Sequence, residues 1–426
     1  MDSEIAIKLK NVNSNKHVTG YLACISLAII YVPHLTFVLL NQTSPSTGIF
    51  AVLLIFIPLL FLYLGNYLKI NRLLIVPLSF FLGILIIQSC IAYILNQSLS
   101  IKAILSFLLL FLSLLYIIIY YNAFKHLPFA YLLSIMRKFI YLNILLGWLS
   151  IIFYDIIPVY NLLLHGVFPF YEPSHYALAI AFFAPSVFMM ESRKIKFFII
   201  INLSALAIAL PNLTLMAVVV LCFLLDENKK KLDKFILFGI SSTAILFISL
   251  INDNFSYFDY VKFRLSNFSE SSTNISTLVY IQGWQEIWHS LISTNGLGLG
   301  FQRMGENAPL AISEKIYKLA GGYLNLHDGG FIFSKFISEL GFVGMVFFIY
   351  FIKQLIKLKF YISKFKLHSI PINNSDGIHK LKLSFVLSCS FFIELLFRGY
   401  GYFSFNSIFF IAIQLYIFTE LKNRKT

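Results

Sequence analysis

The sequence predicts an all-α, polytopic integral membrane protein of about twelve transmembrane helices, with one large outer loop between spans nine and ten. Three observations predict it. The 426-residue chain is 59% hydrophobic and 12% charged, with 46 Phe and a mean hydropathy of +0.82. A water-soluble fold of that size would lack the polar side chains to cover its surface. The apolar residues gather in runs that approach the roughly 20 helical residues needed to cross a bilayer core. The net charge of +14 comes from lysines and arginines clustered in alternate connections, the positive-inside pattern rather than a nucleic-acid footprint. These features exclude a disordered chain, a nucleic-acid-binding domain and an ordinary soluble enzyme.

The polar, Asn/Lys-rich start, Met1–Gly20, reads as a cytoplasmic tail before a retained span, because no cleavage site follows the first apolar run. The expected spans are 21–40, 49–68, 73–95, 103–121, 139–157, 174–190, 195–210, 212–225, 235–251, 331–352, 383–398 and 403–420. The stretches 195–210 and 212–225 are short and separated by Pro211-Asn212, so they are either two stubby spans or one kinked helix. Charge decides between these. A single fused span would place the basic clusters 193–196 and 229–234 on opposite faces, against the positive-inside bias. With twelve spans, most of the Lys and Arg, including Lys69, Arg137, Lys196 and a basic loop at 353–382, fall on the side of both termini. The outer loops 41–48 and 158–173 contain neither residue type. Cys24, Cys90, Cys222 and Cys389 all lie in apolar runs without metal-ligand spacing, which argues against a disulfide or zinc framework.

The outer loop, 252–330, is long enough to be functional in its own right. Within it Ile281, Trp284, Trp288 and Leu291 recur at helical spacing. They predict either an amphipathic helix with its tryptophans at headgroup level or a small core inside the loop. No internal repeat of the inverted-transporter kind is visible.

The candidate site residues collect at the outer face: Glu172, His175, Arg264, Arg303, His327, Asp328 and Arg398. Ionisable groups at membrane depth are expensive and mark function by default. Pro173 fits the first turn of a helix, which puts Glu172 at the positive end of its dipole with His175 on the same face; a plain capped helix start is the alternative. Gly298 and Gly300 belong to Gly296-Leu297-Gly298-Leu299-Gly300, which lets a backbone turn tightly or approach a ligand, but its spacing is wrong for a dinucleotide fingerprint. If the helix of span ten ran continuously from His327 to Glu339, twelve residues would separate them by ~18 Å, too far to share one atom. Glu339 then has a relay role or a packing role. The three arginines present planar donor forks suited to phosphate oxygens, with headgroup snorkelling as the alternative for any one of them.

Taken in order, Glu172-Pro173-Ser174-His175 before a span, the glycine run 296–300, His327-Asp328 and Glu339-Leu340-Gly341, in a chain of about twelve spans with one late outer loop, resemble the O-antigen polymerase (Wzy) family, within the wider ligase and polymerase group. The resemblance is densest over 168–225 and 280–345. One departure is Tyr280, four residues before Trp284, where such proteins often carry an arginine; Arg264 or Arg303 would supply that cation. The resemblance implies a glycosyltransferase that joins undecaprenyl-pyrophosphate-linked repeat units at the periplasmic face of the bacterial inner membrane. It implies lipid-linked donor and acceptor glycans, membrane lipids, a chain-length regulator and a flippase as partners, and neither cofactor, metal nor nucleic acid. On this reading His327 is the first choice of base and Glu172 the second, with His175 orienting. Arg264, Arg303 and Arg398 face the pyrophosphate, while Asp328, Glu339, Gly298, Gly300 and Trp284 support. An O-antigen ligase and a polysaccharide flippase are the rival readings.

Overall fold

The apolar runs form helices almost where the pattern puts them. The computed structural model describes residues 2–40, 46–70, 72–96, 100–153, 166–210, 212–225, 269–367 and 375–423. No strand occurs among these residues. The helices are α1 (Asp2–Leu39), α2 (Ser46–Ile55), α3 (Ile57–Leu64), α4 (Arg72–Asn96), α5 (Ile101–His126), α6 (Phe129–Phe153) and α7 (Pro173–Met190). They continue as α8 (Arg193–Ala209), α9 (Leu213–Leu225), α10 (Ile275–Ser293), α11 (Ala311–Ala320), α12 (Ile332–Leu367), α13 (Ser375–Leu396) and α14 (Phe405–Asn423).

Six of these are long and apolar enough to cross a membrane, and a seventh is added if α2 and α3, bent by 42° with Pro58 in the first turn of α3, form one span. That is fewer than the twelve expected, for identifiable reasons. α8 and α9 are helical but short, 17 and 13 residues. α13 starts in a polar stretch, Ser375-Asp376-Gly377, with His379, Lys380 and Lys382 following. Run 235–251 lies outside the described residues. The expected loop 353–382 is largely helical, since α12 continues to Leu367 and α13 resumes at Ser375.

Whether 195–225 is one helix or two is answered by its hydrogen bonds. The Asn212 side chain caps α9 through Thr214 N and Leu215 N (2.9 and 3.2 Å) and donates to Pro173 O at the start of α7 (2.5 Å). At the far end Phe188 of α7 meets Phe223 of α9 (6.1 Å between rings). The chain therefore reverses between Leu210 and Asn212, and α9 runs alongside α7.

Phenylalanine builds the centre. Tyr120 and Phe124 of α5, Phe182 of α7 and Phe405 and Phe409 of α14 interlock edge to face, with Tyr120 5.5 Å from both Phe405 and Phe409 and Phe183 tilted against Phe405. Such aromatic pairs add packing energy in a bundle whose outer surface already faces hydrocarbon.

The bundle has two chemically distinct ends. At one, Arg137 pairs with Glu191 (3.1 Å), Lys196 lies over Phe188, and Lys380 donates to Lys125 O (3.0 Å). At the other, beyond the 18 residues or ~27 Å of α7, lie Glu172 and His175.

Candidate functional site

The turn between α13 and α14 organises the second end. In Arg398-Gly399-Tyr400-Gly401-Tyr402 the positive φ of Gly401 (87°) turns the chain between the two tyrosines, and they reach different partners, Tyr400 at His175 and Tyr402 at Glu339. Gly399 N donates to Gly330 O (3.0 Å), tying this turn to the one that precedes α12.

On the first side, Arg398 Nη2 and Ser174 Oγ both donate to Glu172 Oε2, each at 2.9 Å. Tyr400 OH donates to His175 O. The His175 ring lies 4.8 Å from the Tyr400 ring and 5.4 Å from that of His34, a residue of α1 that is 5% exposed. Among the described residues, His175 Nδ1, His34 Nδ1 and Arg398 Nε are buried without hydrogen-bond partners. Three ring or guanidinium nitrogens in that condition are uncommon, because burying such a group unpaired costs about 1–3 kcal/mol.

The second side is a connected chain of polar groups. Asp328 Oδ1 accepts from Lys335 Nζ (2.7 Å), and Lys335 also sits 5.2 Å over the ring of Tyr402. Tyr402 OH donates to Glu339 Oε2 (2.9 Å), and Glu339 Oε1 accepts a longer bond from Met304 N (3.4 Å). Met304 O is 3.1 Å from His327 Nδ1. A carbonyl can only accept, so Nδ1 carries a proton directed at Met304 O. Partial desolvation of the Asp328 carboxyl works upward, but the charge and hydrogen bond of Lys335, with Lys102 behind it, hold the group below the ordinary carboxylate range. Lys102, at the start of α5, feels Lys335, Asp328, Glu339 and Glu306, and its Nζ is buried with no partner among the described residues. Gly401 lies against Asp328, so the two sides adjoin.

His327 and Glu339 thus touch the two backbone groups of one residue, contrary to the separation expected of a continuous helix. α12 begins only at Ile332, and Gly329 and Gly330 (φ 65° and 76°) turn the chain sharply before it. A second break, at Gly341 (φ 59°, ψ −137°), opens α12 between two and three turns later. The glycine run fills that break. Leu299 N and Gly300 N donate to Ser338 O and Glu339 O, Phe342 N donates to Gly296 O, all at 2.9 Å, and Gln88 Nε2 bridges Leu297 O and Leu340 O. Broken helices at membrane depth survive when protein re-satisfies the freed backbone in this way. Gly298 and Gly300 therefore approach another backbone, that of Glu339.

The other expected residues fall as follows. Arg303 is 8% exposed and already bonded to Glu306 (2.8 Å) and Ala92 O (3.2 Å), so it braces the loop against α4 and α5. Arg264 lies outside the described residues, as does the loop from 252 to 268. Trp284 packs on Phe331 (5.4 Å) and Phe333, holding α10 against the His327 turn. The buried face of α10 includes Leu278, Val279, Gln282, Gly283, Glu286, Ile287, Ser290 and Leu291; of the expected stripe Leu291 belongs to it, while Ile281, Trp284 and Trp288 do not. Trp288 and Ile292 stay exposed, 66% and 74%. Burial pushes the Glu286 carboxyl up to about 7.

Sequence reasoning missed His34, Lys102, Lys335, Tyr400 and Tyr402. The first three were findable as ionisable residues in or at the edge of apolar runs, and Lys335 is one turn before Glu339 on the same helix face. Among the described residues no group of three His, Cys, Asp or Glu is arranged to hold a metal ion. No family model, curated protein or solved structure matches the chain.

Proposed function

We propose that this protein is a membrane glycosyltransferase of the O-antigen polymerase kind, joining undecaprenyl-pyrophosphate-linked repeat units at the periplasmic face of a bacterial inner membrane. The observation that carries this reading is the meeting of Glu172, His175, Arg398, His327, Asp328, Lys335 and Glu339 at one end of the bundle, opposite the lysine-rich end. By the positive-inside bias the lysine end is cytoplasmic with both termini, and the site end is periplasmic. The short helices α8 and α9 then count as spans, as do α13, α14 and the run 235–251, to give twelve.

The chemistry follows from the groups at hand. An acceptor sugar hydroxyl attacks the anomeric carbon of the donor chain. The new glycosidic C–O bond forms as the bond to pyrophosphate breaks, and that electron pair leaves with the pyrophosphate. The hydroxyl proton passes to His327 Nε2, whose tautomer Met304 O fixes. Negative charge growing on the leaving group is stabilised by Arg398, Lys335 and Lys102, fixed before the reaction starts. Glu172 accepts two donors at one oxygen, which makes it a holder of Arg398 in preference to a base. Two lipid-linked substrates held in the membrane plane would make orientation a large share of the rate. A chain-length regulator and a flippase are the expected protein partners.

The test is the glycan made in a deletion strain. Core carrying a single repeat unit supports polymerisation, core with no unit indicates a ligase, and lipid-linked units trapped on the cytoplasmic face indicate a flippase. Reintroduced His327→Ala or Arg398→Ala should fail to restore the long-chain ladder while remaining in the membrane. Lys315→Ala and Lys318→Ala, away from the buried face of helix α11, should restore it; wild-type ladders from both site variants would overturn the assignment of the site.

A further inference from the structure

A groove of about 550 Å3 runs between α1, α5, α6, α7 and α14, away from the site. Its walls are hydrocarbon, and the polar groups among them are used internally: Ser26 Oγ donates to Leu22 O (2.7 Å) and is bonded to Tyr120 OH (2.9 Å). Water has no anchorage on such walls, whereas an alkyl chain gains dispersion contacts along all of them. The volume is that of a ligand-sized pocket, about 300–1,000 Å3.

The two ends of the groove differ. Toward the site end its lining is Ile30, Phe183, Phe405 and Phe409. Its rim carries Thr19, Tyr131, Ser134 and Lys138, at the lysine end of the bundle. Lys138 is exposed and has no ion pair among the described residues, whereas its neighbour Arg137 is bound to Glu191. A ligand that matches this gradient is an amphiphile with an anionic head at Lys138 and its tail pointing toward Phe405. A polyprenyl pyrophosphate serving the site at the other end would have its charge at the wrong end of the groove.

We infer that the groove binds one acyl chain of an anionic phospholipid from the lysine-side leaflet, with the headgroup phosphate on Lys138. The lipid thereby wedges α1, which carries His34, against α14, which follows the Arg398 turn. This inference is independent of the glycosyltransferase reading.

The full-length protein purified in detergent can be titrated with phosphatidylglycerol and with phosphatidylcholine, reading bound lipid by native mass spectrometry and stability by thermal melting. Wild type should retain phosphatidylglycerol about fivefold over phosphatidylcholine, the preference that about 1 kcal/mol from one juxtamembrane lysine confers. Lys138→Ala should bring the two lipids to parity without lowering the melting point of the lipid-free protein. Gly20→Leu should reduce retention of both, because Gly20 lines the groove and nothing lies within 4 Å of a Cβ placed there. Equal retention of the two lipids by wild type overturns the proposal, and so does retention unaffected by Gly20→Leu. Displacement of phosphatidylglycerol by undecaprenyl phosphate, equally in wild type and Lys138→Ala, would assign the groove to a polyprenyl tail and also overturn it.

Discussion

The contact between the glycine run and the break in α12 can be tested by separating backbone conformation from space. Gly298 and Gly321 have similar positive φ values, +83° and +73°, so alanine at either position is forced into a left-handed conformation at a cost of about 1–2 kcal/mol. Their surroundings differ. A Cβ on Gly298 would lie 2.5 Å from both Glu339 O and Gly341 N, backbone atoms that cannot swing aside, whereas a Cβ on Gly321 meets nothing within 4 Å. Gly298→Ala should therefore lose a further ~1–3 kcal/mol from overpacking. It should also push Glu339 away from Met304 and Tyr402, so the ladder should fail with it. Thermal melting of both variants in detergent, with ladder length from complemented cells, measures the two effects. If Gly298→Ala melts with Gly321→Ala and makes wild-type polymer, the glycines do not position Glu339 and the reasoning is refuted.

Two further substitutions are informative. Lys102→Met removes a buried cation that lacks a hydrogen-bond partner among the described residues, so melting should rise, by an amount up to a few kcal/mol, while polymer synthesis falls about 10²-fold or more. A gain in stability with no loss of activity would show that Lys102 is only a buried charge. For Glu286 the folded pKa, about 7, stands above the ordinary carboxyl value, so its contribution is complete at acid pH and is lost as pH rises through 7. Melting of the wild type should thus decline from about pH 5 to pH 7 by ~1–3 kcal/mol more than that of Glu286→Gln; parallel pH curves would contradict this.

Much of the fold was legible because the bilayer writes it in composition. Eleven of the twelve expected runs coincide with helices, and the division of 195–225 into two helices followed from placing the basic clusters 193–196 and 229–234 on one side. What failed was length and face. Hydropathy does not register that α12 extends through Lys353–Leu367, because a helix leaving the membrane keeps its backbone bonds while its side chains turn polar. On α10 the two bulky tryptophans drew the apolar stripe one position off, because the buried face there is partly polar, with Gln282, Glu286 and Ser290 inside. At the site, the Glu, His and Arg of 172–175, 327–328 and 398 were findable as charges at the edges of apolar runs. The distance between His327 and Glu339 was not, since it depends on Gly329, Gly330 and Gly341 breaking a helix that periodicity alone would continue.

The pairing of charges at the site bears on how a diphosphate could enter. Arg398 is matched with Glu172, Arg303 with Glu306 and Lys335 with Asp328, so three of the four cations already have a carboxylate. A fully matched set would offer an incoming anion little net attraction while charging it the loss of its hydration. The matching is incomplete at two atoms, Lys102 Nζ and Arg398 Nε, which are buried and unpaired among the described residues on either side of the Tyr400–Tyr402 turn. Arg303 and Lys335 can keep their carboxylates while a ligand takes these two donors, and Arg398 can do so without releasing Glu172, because a guanidinium has five N–H groups in a fixed fork. Lysine at 398 would have to choose between Glu172 and the ligand. Arg398→Lys should therefore preserve the fold yet weaken donor binding, appearing as a raised KM for lipid-linked substrate, and an unchanged KM would mean that the Arg398 fork is not shared.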